Sequence, residues 1–208
     1  MHWIDPYSLP EISGRFERFL LNSRGEADGM ILTDGAEVHF PPHLGKEVIA
    51  AVGAEAALRI FGVRPRQGDV FAAVAFETAD GARIVDNGPP KKYDPEKGDK
   101  RDERDPKKTR KPIIVEGVVR RALHGPKGET RGALLEDGRI VRFAPHETPG
   151  LKALLERGAP LAARGESLAT PLGTVIDARE IGPSATELRP VKAKTPKPDK
   201  PHGKEKHA

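Results

Sequence analysis

Apolar and polar residues alternate with period two in AEVHF (36–40) and again in RIVRF (139–143). That period reads as extended strand: Val38 and Phe40, like Val141 and Phe143, share one face, and His39 and Arg142 point to the other. Each stretch follows an apolar run, DGMILTD (28–34) or RGALLED (131–137), and is set off from it by Asp34-Gly35 or Asp137-Gly138. Asp-Gly between apolar runs is a strong hairpin signal, because glycine accepts the positive φ at which the chain reverses. Upstream, residues 14–21 and 117–123 are further extended candidates that run into the turns SRGE and PKGE. Beyond the next proline the period becomes helical, with Leu44, Val48, Ile49 and Val52 in one segment and Leu151, Leu154 and Leu155 in the other. Two more strands are predicted in each half, at 55–62 and 68–77, and at 159–165 and 173–181.

The two halves are copies. With a constant shift of 103 and no gap, residues 14–43 match residues 117–146 at thirteen of thirty positions. The identities include Gly25/Gly128, Glu26/Glu129, Gly29/Gly132, Asp34/Asp137, Gly35/Gly138, Val38/Val141, Phe40/Phe143, Pro42/Pro145 and His43/His146. The same shift pairs Val48 with Leu151, Leu58 with Leu161 and Gly62 with Gly165, so a whole unit is duplicated. The order strand-strand-strand-helix-strand-strand is that of a small Greek-key barrel. The expected fold is therefore all-β with one short helix per unit, as two five-stranded OB-like barrels in tandem. The motif G-E-x-x-G-x-x-L-x-D-G-x-x-V-x-F-x-P-H resembles that of uncharacterised bacterial proteins carrying OB-like domains. The resemblance covers both repeats and implies no activity and no catalytic residues.

Charge separates these units from the rest of the chain. The 208 residues carry a net charge of +4, yet residues 1–90 hold eight basic against thirteen acidic side chains. Residues 91–111 hold ten against six, and residues 187–208 seven against three. The latter segments are rich in Lys, Asp, Glu and Pro and poor in large apolar residues, a composition that cannot offset chain entropy by burial. The expected layout is an N-terminal segment (1–13), barrel 1 (14–86), a disordered charged linker (87–112), barrel 2 (113–183) and a disordered Lys/Pro-rich tail (184–208). Each barrel alone is near the size at which one core becomes marginal, so the two either pack together or self-associate. The absence of cysteine excludes disulfides and thiolate chemistry. The N-terminus lacks the features of a signal peptide, and no apolar run is long enough for a membrane span, which leads to the expectation of a cytoplasmic protein.

The recurring polar residues read as architecture. His39 and His43 are separated by Pro41-Pro42, so no helix aligns them, and Arg142 replaces His39 in the second copy, which argues against a metal. His43 and His146 are expected to bond a backbone carbonyl or cap the following helix, and no Ser or Thr nucleophile accompanies them in both copies. Asp34 and Asp137 suit turns whose backbone their side chains can bond. Glu26 and Glu129 sit beside the turn glycines Gly25 and Gly128, and Asp28 becomes Arg131. No constellation suggests catalysis, a cofactor or a metal. The remaining hypothesis is weak, largely non-specific binding of single-stranded DNA or RNA through barrel 2 and the tail, by phosphate contacts from Arg120, Arg121, Arg131, Arg139, Arg142, Lys192, Lys194, Lys197 and Lys200. Glu37, His39, Arg139 and Arg142 are expected to point outward on the strands that bind ligands in OB folds, and Phe19 is a candidate exposed aromatic. The alternative is a scaffold in which two tethered barrels bind another protein.

Overall fold

The computed structural model describes residues 5–66, 69–88, 110–144 and 151–191. The first unit contains β1 (Glu11–Leu21), β2 (Ala27–Leu32), β3 (Glu37–His39), α1 (Gly45–Ala51), β4 (Ala57–Val63) and β5 (Val70–Thr78), followed by the short β6 (Arg83–Val85). β1 pairs with β4 through its first half and with β2 through its second; β3 lies antiparallel to β2 and parallel to β5. Pairing of β4 with β5 closes the barrel in the order β1-β2-β3-β5-β4-β1. The second unit, β7 (Lys111–His124), β8 (Thr130–Leu135), β9 (Ile140–Arg142), α2 (Leu151–Leu154), β10 (Pro160–Thr170) and β11 (Gly173–Gly182), closes in the same way. The protein is thus all-β, with two closed five-stranded OB-like barrels in tandem.

Serving two neighbours requires β1 and β7 to bend. Both do so at a bulge, between Phe16 and Arg18 and between Val119 and Arg121, positions related by the repeat. Both strands start earlier than the apolar pattern predicts, at Glu11 and Lys111, because their first halves are largely exposed and carry little periodicity. Two strands are new: β6 extends β5, and β12 (Arg189–Pro190) extends β11. At three and two residues neither is long enough to show a period.

Inward residues follow the predicted parity. Met30, Leu32, Val38, Phe40, Ile60 and Phe76 fill barrel 1, and Val119, Ala133, Leu135, Val141, Phe143 and Ile176 fill barrel 2. The opposite parity, expected to meet solvent, is buried as well. Leu20 and Ile31 of barrel 1 belong to one apolar cluster with Leu123, Leu134, Ile140, Leu168 and Val175 of barrel 2, so the barrels pack against each other. The same packing corrects the outward placement of Glu37, His39 and Arg142, which are 1%, 4% and 6% exposed. Phe19 is also buried, its ring 4.5 Å from that of Phe16.

Candidate functional site

The seam between the barrels obeys the repeat. Arg18 on β1 donates from Nη2 to the Gly138 carbonyl at 2.8 Å, and its counterpart Arg121 on β7 donates from Nη1 to the Gly35 carbonyl at 2.7 Å. The acceptors are the glycines of the two Asp-Gly hairpins, which sit at φ of +91° and +88°. There Asp34 and Asp137 accept from the backbone N–H groups of Ala36 and Arg139. Glu17 and Arg120 occupy equivalent positions and pair with each other. Reciprocal contacts of this kind define an isologous dimer, here made within one chain about a pseudo-two-fold axis.

Four positions near that axis have diverged: Leu21/His124, Asp28/Arg131, Glu37/Ile140 and His39/Arg142. Glu37 Oε1 accepts from the His124 backbone N–H at 2.8 Å and lies 3.1 Å from His39 Nε2; its Oε2 lies 3.0 Å from His124 Nδ1 and 3.6 Å from Arg121 Nη2. Burial opposes ionisation of Glu37, but the hydrogen bonds from His124 and His39 outweigh it and bring its pKa down to about 2. A carboxylate only accepts, so His39 presents Nε2–H and His124 presents Nδ1–H to it. On the other side of the seam, Arg142 donates from Nε to the Leu21 carbonyl at 2.8 Å and approaches Asp28 Oδ1 at 3.5 Å. Burial lowers the pKa of Arg142, with Asp28 and Glu37 opposing, and raises that of Asp28, with Arg142 and His39 opposing. Both shifts favour the neutral forms, as expected when a long ion-pair contact compensates desolvation incompletely. Asp28, His39, His124, Arg131 and Arg142 line a cleft of about 310 Å³ between the barrels, with Asn22, Ser23 and Asp177 also in its wall.

The candidate arginines are engaged within the protein. Arg120 and Arg121 cross the seam, Arg142 is buried in it, Arg131 pairs with Glu129, and Arg139 bonds Asp137 and the Glu116 carbonyl. Lys192, Lys194, Lys197 and Lys200 lie outside the described residues, as do Pro145 and His146. Gly25 and Gly128 turn the β1–β2 and β7–β8 connections at positive φ; beside them Glu26 accepts from Asn22 Nδ2, and Glu129 from the Lys127 N–H. Pro42 opens a 3₁₀ turn, and His43 Nε2 lies 2.8 Å from Asp86 Oδ1. Its partner is therefore a side-chain carboxylate, rather than a backbone carbonyl or the helix end. Among the described residues no three His, Asp or Glu side chains come together as a metal site.

Asp28, Arg18 and His124 matter to the seam although no chemical motif marks them. The signal was present in another form. Arg18/Arg121 is an identity between the copies, and Asp28/Arg131 is a charge reversal at one repeat position, as complementary faces of a pseudo-dimer require.

No family profile and no curated protein matches the chain. Among solved structures it is similar to the single-stranded DNA binding protein from Thermus aquaticus. For the wild type the identity is 12% over 90% of this chain and 82% of that one, with a TM-score of 0.26. For a deletion mutant of the same protein it is 12% over 91% and 96%, with a TM-score of 0.24. The assignment of the fold rests on strand order and barrel closure, not on these superpositions.

Proposed function

We propose that this chain is a non-catalytic nucleic-acid-binding protein in which the Lys-rich segment after Val191 makes most phosphate contacts and the joined barrels form the body that carries it. The observation behind this reading is the distribution of charge. Each of the five candidate arginines of barrel 2, Arg120, Arg121, Arg131, Arg139 and Arg142, is committed to a protein acceptor, whereas residues 192–208 hold six lysines against two carboxylates. Binding of this kind is electrostatic and tolerant of sequence, and log K falls linearly with log salt. Fluorescence anisotropy with single-stranded DNA, double-stranded DNA and RNA at two salt concentrations tests it. The full chain is expected to bind at low salt, and a chain ending at Val191 to lose most of that affinity. Absence of binding to all three at low salt refutes the reading.

The scaffold reading is favoured by a different observation. The outward faces of β2, β3, β8 and β9 are consumed by the seam, while Ile114 and Val118 on β7 stand 49% and 39% exposed. A protein partner that binds the chain ending at Val191 as well as the full chain would support it.

A further inference from the structure

The cleft on the pseudo-dyad is where unused hydrogen-bonding capacity collects. With Nε2 of His39 and Nδ1 of His124 turned to Glu37, the far ring nitrogens, Nδ1 and Nε2, have no protein partner among the described residues. The same holds for Oδ2 of Asp28 and for Nη1 of both Arg131 and Arg142. All five side chains line the one cleft. Its volume of about 310 Å³ is at the lower end of small-molecule sites, roughly 300–1,000 Å³. None of these atoms is among the buried unpaired ones, so they are open to the cleft and a ligand of matching polarity can bond them in place of solvent.

The pattern of open groups restricts that ligand. Both guanidiniums that line the cleft are matched by a carboxylate, Arg142 by Asp28 and Arg131 by Glu129, and the carboxylate of Asp177 in its wall is matched by Arg110. A site so balanced offers an anion little. It does offer acceptors (Asp28 and two imidazole nitrogens) next to donors (Arg131 and Arg142), with apolar surface from Pro126 and Phe143. An uncharged planar ring with adjacent N–H and C=O or ring-nitrogen groups complements such a set, as carboxylates read exocyclic amines and guanidinium groups read purine or pyrimidine acceptors. We infer that the inter-barrel cleft binds the hydrogen-bonding edge of a nucleobase, with Asp28 and the two histidines accepting and Arg131 and Arg142 donating. The base is supplied by a free nucleoside or by one residue of a strand; the second source rests on the nucleic-acid reading above.

The test uses the full chain, ¹⁵N-labelled, with the imidazole resonances of His39 and His124 followed during separate titrations with adenosine, guanosine, cytidine and uridine to millimolar concentration. At least one nucleoside is expected to shift both rings along a saturable isotherm, and Asp28→Asn to weaken it by roughly tenfold or more. Arg131→Gln, at a side chain nearer the surface, is the second variant should Asp28→Asn not fold. Inorganic phosphate is expected to give no saturable shift at these rings. No response to any of the four nucleosides, equal affinity in the variant, or saturable binding of phosphate instead overturns the inference. Oligonucleotide anisotropy on the same variant separates the two readings. Strand binding without nucleoside binding removes the cleft alone, whereas nucleoside binding without strand binding removes the tail reading and assigns the cleft to free nucleosides.

Discussion

Glu37 stays ionised where burial alone would protonate it. Its folded pKa of about 2 lies below the ordinary 4.5, so its contribution to stability is complete above about pH 4.5 and is lost as the pH falls toward 2. The displacement corresponds to an upper value on the order of 3 kcal/mol. Urea unfolding across the acid range should therefore show stability dropping between about pH 4.5 and 2. Glu37→Gln should remove most of that slope and cost roughly 2–3 kcal/mol at neutral pH, since the amide cannot satisfy three N–H donors as the carboxylate does. A variant as stable and as pH-dependent as the wild type would show that the histidines do not hold this carboxylate. Alternation already placed Glu37, His39 and Arg142 opposite Val38, Phe40 and Val141, and that much was legible. It identifies the face a side chain takes but not what covers the face, and so these residues read as solvent-exposed until the second barrel was seen against them.

At the scale of elements, the Asp-Gly hairpins were the clearest feature of the sequence, yet only half of their role could be read there. They reverse the chain, and they also present the Gly35 and Gly138 carbonyls to Arg121 and Arg18 of the other barrel. Arg18→Met should cost about 1–2 kcal/mol by leaving the Gly138 carbonyl without its donor, measured by chemical denaturation; Arg15→Met, whose side chain reaches only the Glu55 carbonyl at 3.4 Å within its own barrel, is the control and should cost less. Strand ends were less legible. β12 joins barrel 2 through the register Ile181–Arg189 and Glu180–Pro190, with Val191 N–H bonding the Arg179 carbonyl. A chain ending at Val191 should accordingly melt with the full chain, while one ending at Thr186 should melt lower. Equal melting of all three would show that β12 adds nothing to barrel 2.

The whole molecule is an internal dimer, and the duplication legible in the sequence becomes a statement about assembly once equivalent positions are seen to face each other. What hid this was the divergence at the axis. Asp28/Arg131 and His39/Arg142 look like loss of a motif when the copies are aligned, whereas across a two-fold seam they are complements. Their charges also favour the observed pairing, because two second barrels would oppose Arg131 and Arg142 to their own copies without Asp28 or Glu37 to compensate. The apolar part of the seam, with Leu20, Ile31, Leu123, Leu134 and Ile140 almost fully buried, supplies attraction that does not need the covalent connection. A protease site introduced between residues 90 and 109 should therefore leave the cut halves eluting together in size-exclusion chromatography at neutral pH. They should remain together in high salt, since buried pairs and apolar contacts are screened much less than surface charge. Acid is the condition expected to part them. Glu37 released from the seam takes up a proton toward its ordinary value of 4.5, whereas in the joined barrels it does so only near 2, so acid favours the separated state, and in the cut protein no tether holds the barrels at high effective concentration. Separation at neutral pH would mean that the connection, rather than the seam, keeps the barrels together; co-elution at neutral pH and separation near pH 3 would place their association in the seam residues themselves.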